Sequence, residues 1–177
     1  MANTKSKTLA SICLLLAVLD ASALADPTES PRFELATDPL GLLQGRYALA
    51  ATYALTDHFA VRGSIMHGDA TTQLTVFRAT VSVLAYLDRA FHGPFLEAGY
   101  AWEDQLLEYS ESAGEPTETW TIDLGGPELL LGWQWTYAKH YSLSATVGAM
   151  RVWRPAVSEL PAPTIEYESY VNVGYVF

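Results

Sequence analysis

Cysteine, basic residues and long apolar runs are all scarce in this chain of 177 residues. Its single cysteine, Cys13, has no second cysteine to pair with, so the chain forms no internal disulfide. Twenty acidic residues outnumber ten basic ones, which is the reverse of the balance that a nucleic-acid partner requires. After residue 24 no apolar stretch reaches the roughly 20 residues of a transmembrane helix. Disulfide scaffolds, nucleic-acid partners and helical membrane proteins are therefore disfavoured.

The N-terminus has the layout of a secretory signal peptide. Two lysines precede an apolar run at residues 9–19, and Ala23-Leu24-Ala25 provides a small-x-small cleavage site. We expect a signal peptide at residues 1–25 and one mature domain at residues 26–177. Cys13 would leave with the signal peptide, so the mature domain would contain no cysteine nucleophile and no thiolate metal ligand.

Apolar and polar residues alternate with a period of two through most of the mature chain, which is typical of β-strands. The alternation predicts eight strands, over residues 32–38, 46–55, 59–66, 77–87, 96–103, 120–137, 141–150 and 167–177. We therefore predict an all-β fold, an eight-stranded antiparallel up-and-down transmembrane β-barrel. Around residues 125–127 the apolar face switches from even to odd positions, and a β-bulge is predicted there.

The connections between these strands alternate in length. Those expected at the periplasmic side are short, at residues 56–58, 88–93 and 138–140. Two of those expected at the outer side are long and polar or proline-bearing, at residues 104–118 and 154–166, as in outer-membrane barrels. The first outer connection, residues 39–43, is brief and apolar and does not fit this pattern.

The last predicted strand carries aromatic residues at both ends of one face, and Phe177 ends the chain given. It resembles the closing strand of bacterial outer-membrane β-barrels, whose C-terminal Phe is read by the barrel-assembly machinery. The resemblance implies that Tyr175 and Phe177 form an assembly signal and that this machinery is a partner during biogenesis. It also implies a bacterial outer-membrane location, in contact with outer-membrane lipid and lipopolysaccharide.

Residues 38–46, with the strand and turn that follow, resemble the opening of several uncharacterised families of small outer-membrane β-barrels. More distantly, the layout is similar to OmpA/OmpX-type eight-stranded barrels, which act as structural or surface-interaction proteins. The resemblance implies location and architecture, and we expect a monomer. It implies no activity, because those small families have none assigned.

Charged residues occupy the strand face opposite the apolar one. An unpaired charge in hydrocarbon costs several kcal/mol, so these side chains are expected to point inward. The interior of an eight-stranded barrel is only wide enough for side chains to fill it. We therefore predict that an ionic network fills the lumen, formed by Arg46, Arg62, Arg78, Glu97, Glu103, Asp123, Glu128 and Glu168.

The sequence has few residue patterns typical of catalysis or metal binding, and we expect no enzymatic role, no cofactor and no metal centre. His140 and Ser142 have the His-x-Ser spacing of outer-membrane lipid A deacylases, with Glu159 or Glu166 as a third member. The predicted topology separates the pair from the glutamates by the height of the apolar band. One predicted loop is acidic and is a possible divalent-cation site, although a solvated loop is the simpler interpretation. Its acidic residues are Asp104, Glu108, Glu111, Glu115 and Glu118.

The expected function is structural, or an interaction of the extracellular loops. Three alternatives remain open from the sequence. The first is a narrow channel for small solutes, and the second is a lipid A-modifying outer-membrane enzyme. The third is a soluble periplasmic lipocalin-like barrel, in which the apolar face would point inward around a ligand.

Overall fold

The computed structural model describes residues 32–71, 74–109, 118–153 and 164–177. The predicted signal peptide, residues 1–25, lies outside the described residues, and so do Glu111 and Glu115 of the acidic loop. No helix in the described part of the chain combines the length and the apolar character needed to cross a membrane.

Eight strands form one closed barrel in which each strand pairs antiparallel with its neighbours in sequence, and the last strand pairs with the first. A one-turn helix, α1 (Pro39–Leu43), lies between the first two strands. The strands are β1 (Phe33–Thr37), β2 (Arg46–Ala54), β3 (Phe59–Thr71), β4 (Leu74–Tyr86), β5 (Gly93–Tyr109), β6 (Glu118–Tyr137), β7 (Tyr141–Val152) and β8 (Thr164–Val176). The predicted eight-stranded up-and-down barrel is confirmed.

The stagger of the strands sets the width of the barrel. Starting at Glu34 and following paired residues across successive strands leads to Glu166 on β8. The β8 residue that pairs with Glu34 is Val176, ten residues further along the strand. Ten residues at about 3.4 Å each, over eight strands about 4.8 Å apart, tilt the strands by roughly 40° and give a backbone diameter of about 16 Å. Side chains alone fill such an interior.

Successive residues of each strand point to opposite sides of the wall. On β6, Leu129, Leu131 and Trp133 are 56%, 63% and 47% exposed on the outside, whereas Leu130 and Gln134 are buried inside. The outer surface is thus rich in large apolar side chains, while much of the buried interior is polar or charged.

The predicted β-bulge at residues 125–127 is wrong, because β5 and β6 keep one register along their whole pairing. The apolar pattern changes there because the lumen itself is apolar at that level, where Leu124 points inward and packs with Met150. Gly126 serves close packing instead: a Cβ at that position would lie 1.6 Å from the carbonyl oxygen of Arg151.

The lower end of the barrel, defined by the turns at residues 55–58, 87–92 and 138–140, is closed by Phe91. Phe91 is 2% exposed, and its ring centroid lies 6.4 Å from that of Tyr86. The ring of Tyr86 in turn lies 5.3 Å from that of Phe95. The backbone of Phe91 has a φ of 65°, and Thr136 donates a hydrogen bond to its carbonyl oxygen. The turn between β4 and β5 therefore folds back into the lower mouth.

Aromatic side chains gather at two levels of the outer surface. At the lower level Tyr175 contacts Tyr141 and Phe177, with ring centroids 5.6 Å and 4.9 Å apart. At the upper level Tyr100 packs on Trp102, with centroids 4.8 Å apart. These two levels are called the lower and upper girdles below.

The distance between the girdles can be estimated from the number of β8 residues that separate them. Tyr167 and Tyr175 lie on its outer face, eight residues apart. At a tilt of roughly 40° this is about 20 Å along the barrel axis, close to the height of about 25 Å typical of the apolar band of a membrane barrel. The outer surface thus has the dimensions of a membrane-spanning wall.

We predict that Gly126→Val severely destabilises the barrel, because the new side chain would collide with the backbone of Arg151. The expected loss in the free energy of unfolding is about 3 kcal/mol or more, the range of severe overpacking. Urea unfolding in detergent micelles, followed by tryptophan fluorescence, measures it. Gly63→Ala is the matched control, since a Cβ there meets nothing within 4 Å. Equal unfolding midpoints for the two variants would contradict the prediction.

Candidate functional site

The lower half of the lumen is organised around Arg62, whose side chain is only 4% exposed. Its Nη1 donates to Glu97 Oε2 at 2.9 Å and to the hydroxyl oxygen of Tyr170 at 3.0 Å, and its Nε donates to Thr52 Oγ1 at 3.0 Å. Glu97 also accepts hydrogen bonds from Tyr170 and Ser82, both at 2.5 Å. Residues from five strands are thereby joined through one guanidinium group.

A second carboxylate, Glu34, lies beside this group and is 2% exposed. Its Oε1 accepts hydrogen bonds from Gln134 at 2.6 Å and from Ser142, and the hydroxyl of Tyr86 donates to Gln134 at 2.7 Å. Its Oε2 lies 3.8 Å from Nη2 of Arg62 and is buried without a hydrogen-bond partner. Glu34 is therefore held on one oxygen only, and electrostatic attraction to Arg62 is what stabilises the other.

The upper half of the lumen is organised around Arg78. Its Nη2 donates to Glu128 Oε2 at 2.8 Å and to Glu168 Oε2 at 2.7 Å, and it lies 3.5 Å from the sulfur of Met150. Nη1 of Arg78 also pairs with Glu168 and lies 4.0 Å from Glu103. The side chains of Arg78 and Glu168 are 15% and 14% exposed, so this cluster is less sealed than the lower one.

Negative charge exceeds positive charge in these two clusters. Two arginines face five carboxylates, those of Glu34, Glu97, Glu103, Glu128 and Glu168. Buried charges are tolerated only when paired and hydrogen-bonded, so each arginine is shared among several acids and hydroxyl donors complete the network. The arrangement is suited to locking the strands together.

The structure brings six of the eight predicted lumen residues into these clusters: Arg62, Arg78, Glu97, Glu103, Glu128 and Glu168. Arg46 does not join them. It lies at the upper end of β2 and donates a hydrogen bond to the side chain of Gln44 instead.

The prediction that Asp123 points into the lumen is wrong. Asp123 is exposed on the outer face, where it pairs in register with Asp104 beyond the upper girdle. The error follows from the bulge that does not exist, because an uninterrupted β6 keeps every odd-numbered residue outside. At this height the charge lies past the apolar band, so it needs no lumen partner.

The network residues that the sequence prediction left out include Glu34, Tyr86, Gln134 and Tyr170. Two carried a usable signal. Glu34 alternates with the apolar Phe33 and Leu35, and Gln134 lies between Trp133 and Trp135, which places each on the polar face. The alternation also places Tyr86 on the face of Arg78 and Tyr170 on that of Glu168, but the residue type adds no signal, because an aromatic ring fits either face of a membrane barrel.

The remaining sequence candidates are dispersed. Ser142 points into the lumen and donates to Glu34, whereas His140 stacks on Tyr175 with ring centroids 5.3 Å apart and places Nδ1 3.1 Å from the carbonyl oxygen of Val176. The His-x-Ser spacing therefore does not form a paired site. Tyr175 and Phe177 lie together in the lower girdle.

The acidic loop is only partly within the described residues. Asp104 is on β5, and Glu108 and Glu118 belong to the ends of β5 and β6, while Glu111 and Glu115 lie outside the description. In the part of the chain that the structure covers, no three His, Cys, Asp or Glu side chains are grouped so as to hold a metal ion.

No family model matches this chain, and no curated protein matches it. Among solved structures it is similar to the N-terminal β-barrel domain of Pseudomonas aeruginosa OprF. The two chains are 13% identical, the match covers 84% of this chain and 98% of that one, and the TM-score is 0.49.

We predict that Arg62→Met destabilises the barrel by about 3–5 kcal/mol, because it leaves Glu34 and Glu97 buried without their cation. Refolding and unfolding titrations in detergent micelles measure the change. Arg151→Met, at an exposed position, is the matched control and should shift stability by no more than about 0.5 kcal/mol. Adding Glu97→Gln to Arg62→Met should recover part of the loss. Equal stability of the Arg62 and Arg151 variants would show that the ion pairs contribute nothing.

Proposed function

We propose that this protein is a bacterial outer-membrane β-barrel with a sealed lumen, which acts structurally or through interactions of its outer loops. The observation that carries this proposal is the distribution of side chains across the wall. Leu131, Val147 and Leu129 are more than half exposed outside, while Arg62, Glu97 and Glu34 are almost fully buried inside. A wall with an apolar exterior and a charged interior suits a lipid environment.

The lipocalin-like alternative requires the opposite distribution. A soluble barrel that binds an apolar ligand lines its cavity with apolar residues and exposes its polar face to water. Here the outer face between the girdles is almost continuously apolar, far more than the few hundred Å² that monomeric soluble proteins expose. This supports the membrane barrel over the lipocalin.

Sealing of the lumen argues against a solute channel. Phe91 closes the lower mouth, and the Arg62 and Arg78 clusters fill successive levels above it. Above these, Leu124 and Val152 pack with Met150 in an apolar layer. A permeating ion would have to displace paired charges and an aromatic plug, so we expect no steady conductance.

The outer loops are the natural interaction surface because the β5–β6 hairpin projects beyond the wall. β5 continues seven residues past Trp102 of the upper girdle, to Tyr109, which is about 18 Å along the barrel axis. Asp104 and Asp123 lie on this extension. This acidic projection is the surface that a partner at the cell surface would meet first.

We predict that the expressed full chain fractionates with the outer membrane and migrates faster on gels before heating than after it, since a closed barrel resists unfolding by detergent. The measurement is sucrose-gradient fractionation followed by electrophoresis of boiled and unboiled samples. Recovery in the soluble periplasmic extract would refute the membrane assignment and favour the lipocalin-like alternative.

We predict that the purified protein gives no large, stable conductance in planar lipid bilayers. Phe91→Ala, which removes the plug alone, should stay silent as well, because both ionic clusters and the apolar layer above them still fill the lumen. Phe59→Ala on the outer face is the matched control and should stay silent. Steady current through the unmodified protein would establish the channel alternative.

A further inference from the structure

The barrel wall is incomplete on one side of β8. The pairing of β1 with β8 ends at Thr37 and Val173, because β1 itself ends there. β8 extends nine residues further, to Thr164, and no strand of the described chain pairs with this part on its β1 side. We call this opening, between the upper part of β8 and the start of β2, the seam.

Helix α1 lies in the seam as a defined element. The carboxylate of Asp38 accepts a hydrogen bond from the backbone N–H of Leu40 at 2.9 Å, and Gly45, with φ +76°, follows its C-terminal end. The helix contacts both β2 and β8. It packs closely through Gly41, where an added Cβ would lie 3.3 Å from the carbonyl oxygen of Arg46.

The hydrogen bonds at the lower end of β8 show toward which neighbouring strand each of its backbone N–H and C=O groups points. The N–H of Phe177 donates to Phe33 on the β1 side at 2.7 Å, whereas the N–H of Val176 donates to His140 on the β7 side at 2.6 Å. Because this direction alternates along an antiparallel strand, the odd-numbered residues of β8 point their N–H and C=O groups toward the β1 side.

Val171, Ser169 and Tyr167 therefore point backbone N–H and C=O groups into the seam. Among the described residues no backbone hydrogen bond joins α1 to β8. Val171 lies midway between Tyr167 and Tyr175, which places these groups in the middle and upper part of the apolar band. An unsatisfied backbone group in hydrocarbon is strongly unfavourable, so the open edge calls for a hydrogen-bonding partner.

Pro39 prevents the chain from closing the seam itself. Continuing the register of β1 would set residue 39 opposite Val171 and require its N–H to donate across the seam. Proline has no N–H, and it is favoured in the first turn of a helix. The sequence thus ends β1 and starts α1 just before the first position at which a longer strand would have bonded to the open edge of β8.

The exposed face of α1 is apolar. Leu40, Leu42 and Leu43 are 50%, 44% and 84% exposed, and they continue the apolar surface of the wall beside the open edge. The seam therefore combines hydrogen-bonding backbone groups with an adjoining apolar face at the depth of the upper half of the band.

We propose that the seam binds one outer-leaflet lipid that carries amide or hydroxyl groups next to its acyl chains. The polar groups bond to the backbone of Ser169 and Tyr167, and the chains lie on the leucines of α1. A lipid fits better than an added β-strand, because a strand would need the whole length of the edge and would have to displace α1, whereas one amide or hydroxyl group bonds to one or two backbone groups beside it. This inference rests on the proposed outer-membrane location.

The test compares two probes that share a phosphocholine head group. Palmitoyl sphingomyelin has an amide and a hydroxyl at the interface, whereas dipalmitoyl phosphatidylcholine has only esters. Native mass spectrometry of the full-length mature barrel in mixed micelles should show one sphingomyelin retained, with at least about tenfold preference, as expected for one or two hydrogen bonds. Amide hydrogen exchange at Ser169 and Tyr167 should slow with this probe alone.

Matched variants locate the site. Ser169→Pro removes the N–H that points into the seam and should abolish the preference, whereas Ser169→Val keeps that N–H and should retain it. Leu43→Ser, at an 84% exposed position, leaves the fold intact and should weaken retention of the probe several-fold. Heat-modifiable migration shows that each variant still forms the barrel.

Equal retention of the two probes, or a preference that survives Ser169→Pro, would overturn the proposal. Slow exchange of the same amides in a lipid-free dimer would also overturn it, and would assign the edge to a strand of a second copy. A barrel that fractionates with the outer membrane but shows no preference refutes the seam site alone, whereas periplasmic recovery refutes the proposed function itself.

Discussion

Closure of the sheet is the constraint on which the rest of this structure depends. A sheet of eight strands with a stagger of ten residues has one narrow interior, and every side chain must lie either inside or outside it. The interior then admits side chains and little else, so the charges placed there have to satisfy one another. The exterior, which no described part of the chain covers, becomes an almost continuous apolar surface between two aromatic girdles.

The charged interior follows from that confinement. Five carboxylates share two arginines, and hydroxyl and amide groups from Tyr170, Ser82 and Gln134 donate further hydrogen bonds to them. Because each arginine contacts acids on several strands, the network ties together parts of the wall that are not neighbours in the sheet. Within the apolar band of the described barrel, the edge of β8 is left unpaired where β1 stops and α1 lies beside it.

Much of the fold could be predicted from period-two alternation, because one polar and one apolar face per strand is a local property of the sequence. The lumen could be predicted less well. Asp123 was misplaced because the switch of apolar parity around Gly125 looked like a bulge, whereas it reflects an apolar layer formed by Leu124 and Met150. Helix α1 was hidden in a short apolar connection whose Asp38 and Pro39 are helix-start signals.

The sequence by itself determined which residues share a face, where the turns fall and, through Pro39, where β1 must end. Only the tertiary structure decided which charges meet. Arg62 and Tyr170 are 108 positions apart, and so are Glu34 and Ser142, yet each pair is hydrogen-bonded across the lumen. Such contacts depend on the register of every strand pair and on the stagger at closure, which are properties of the whole sheet that no single strand encodes.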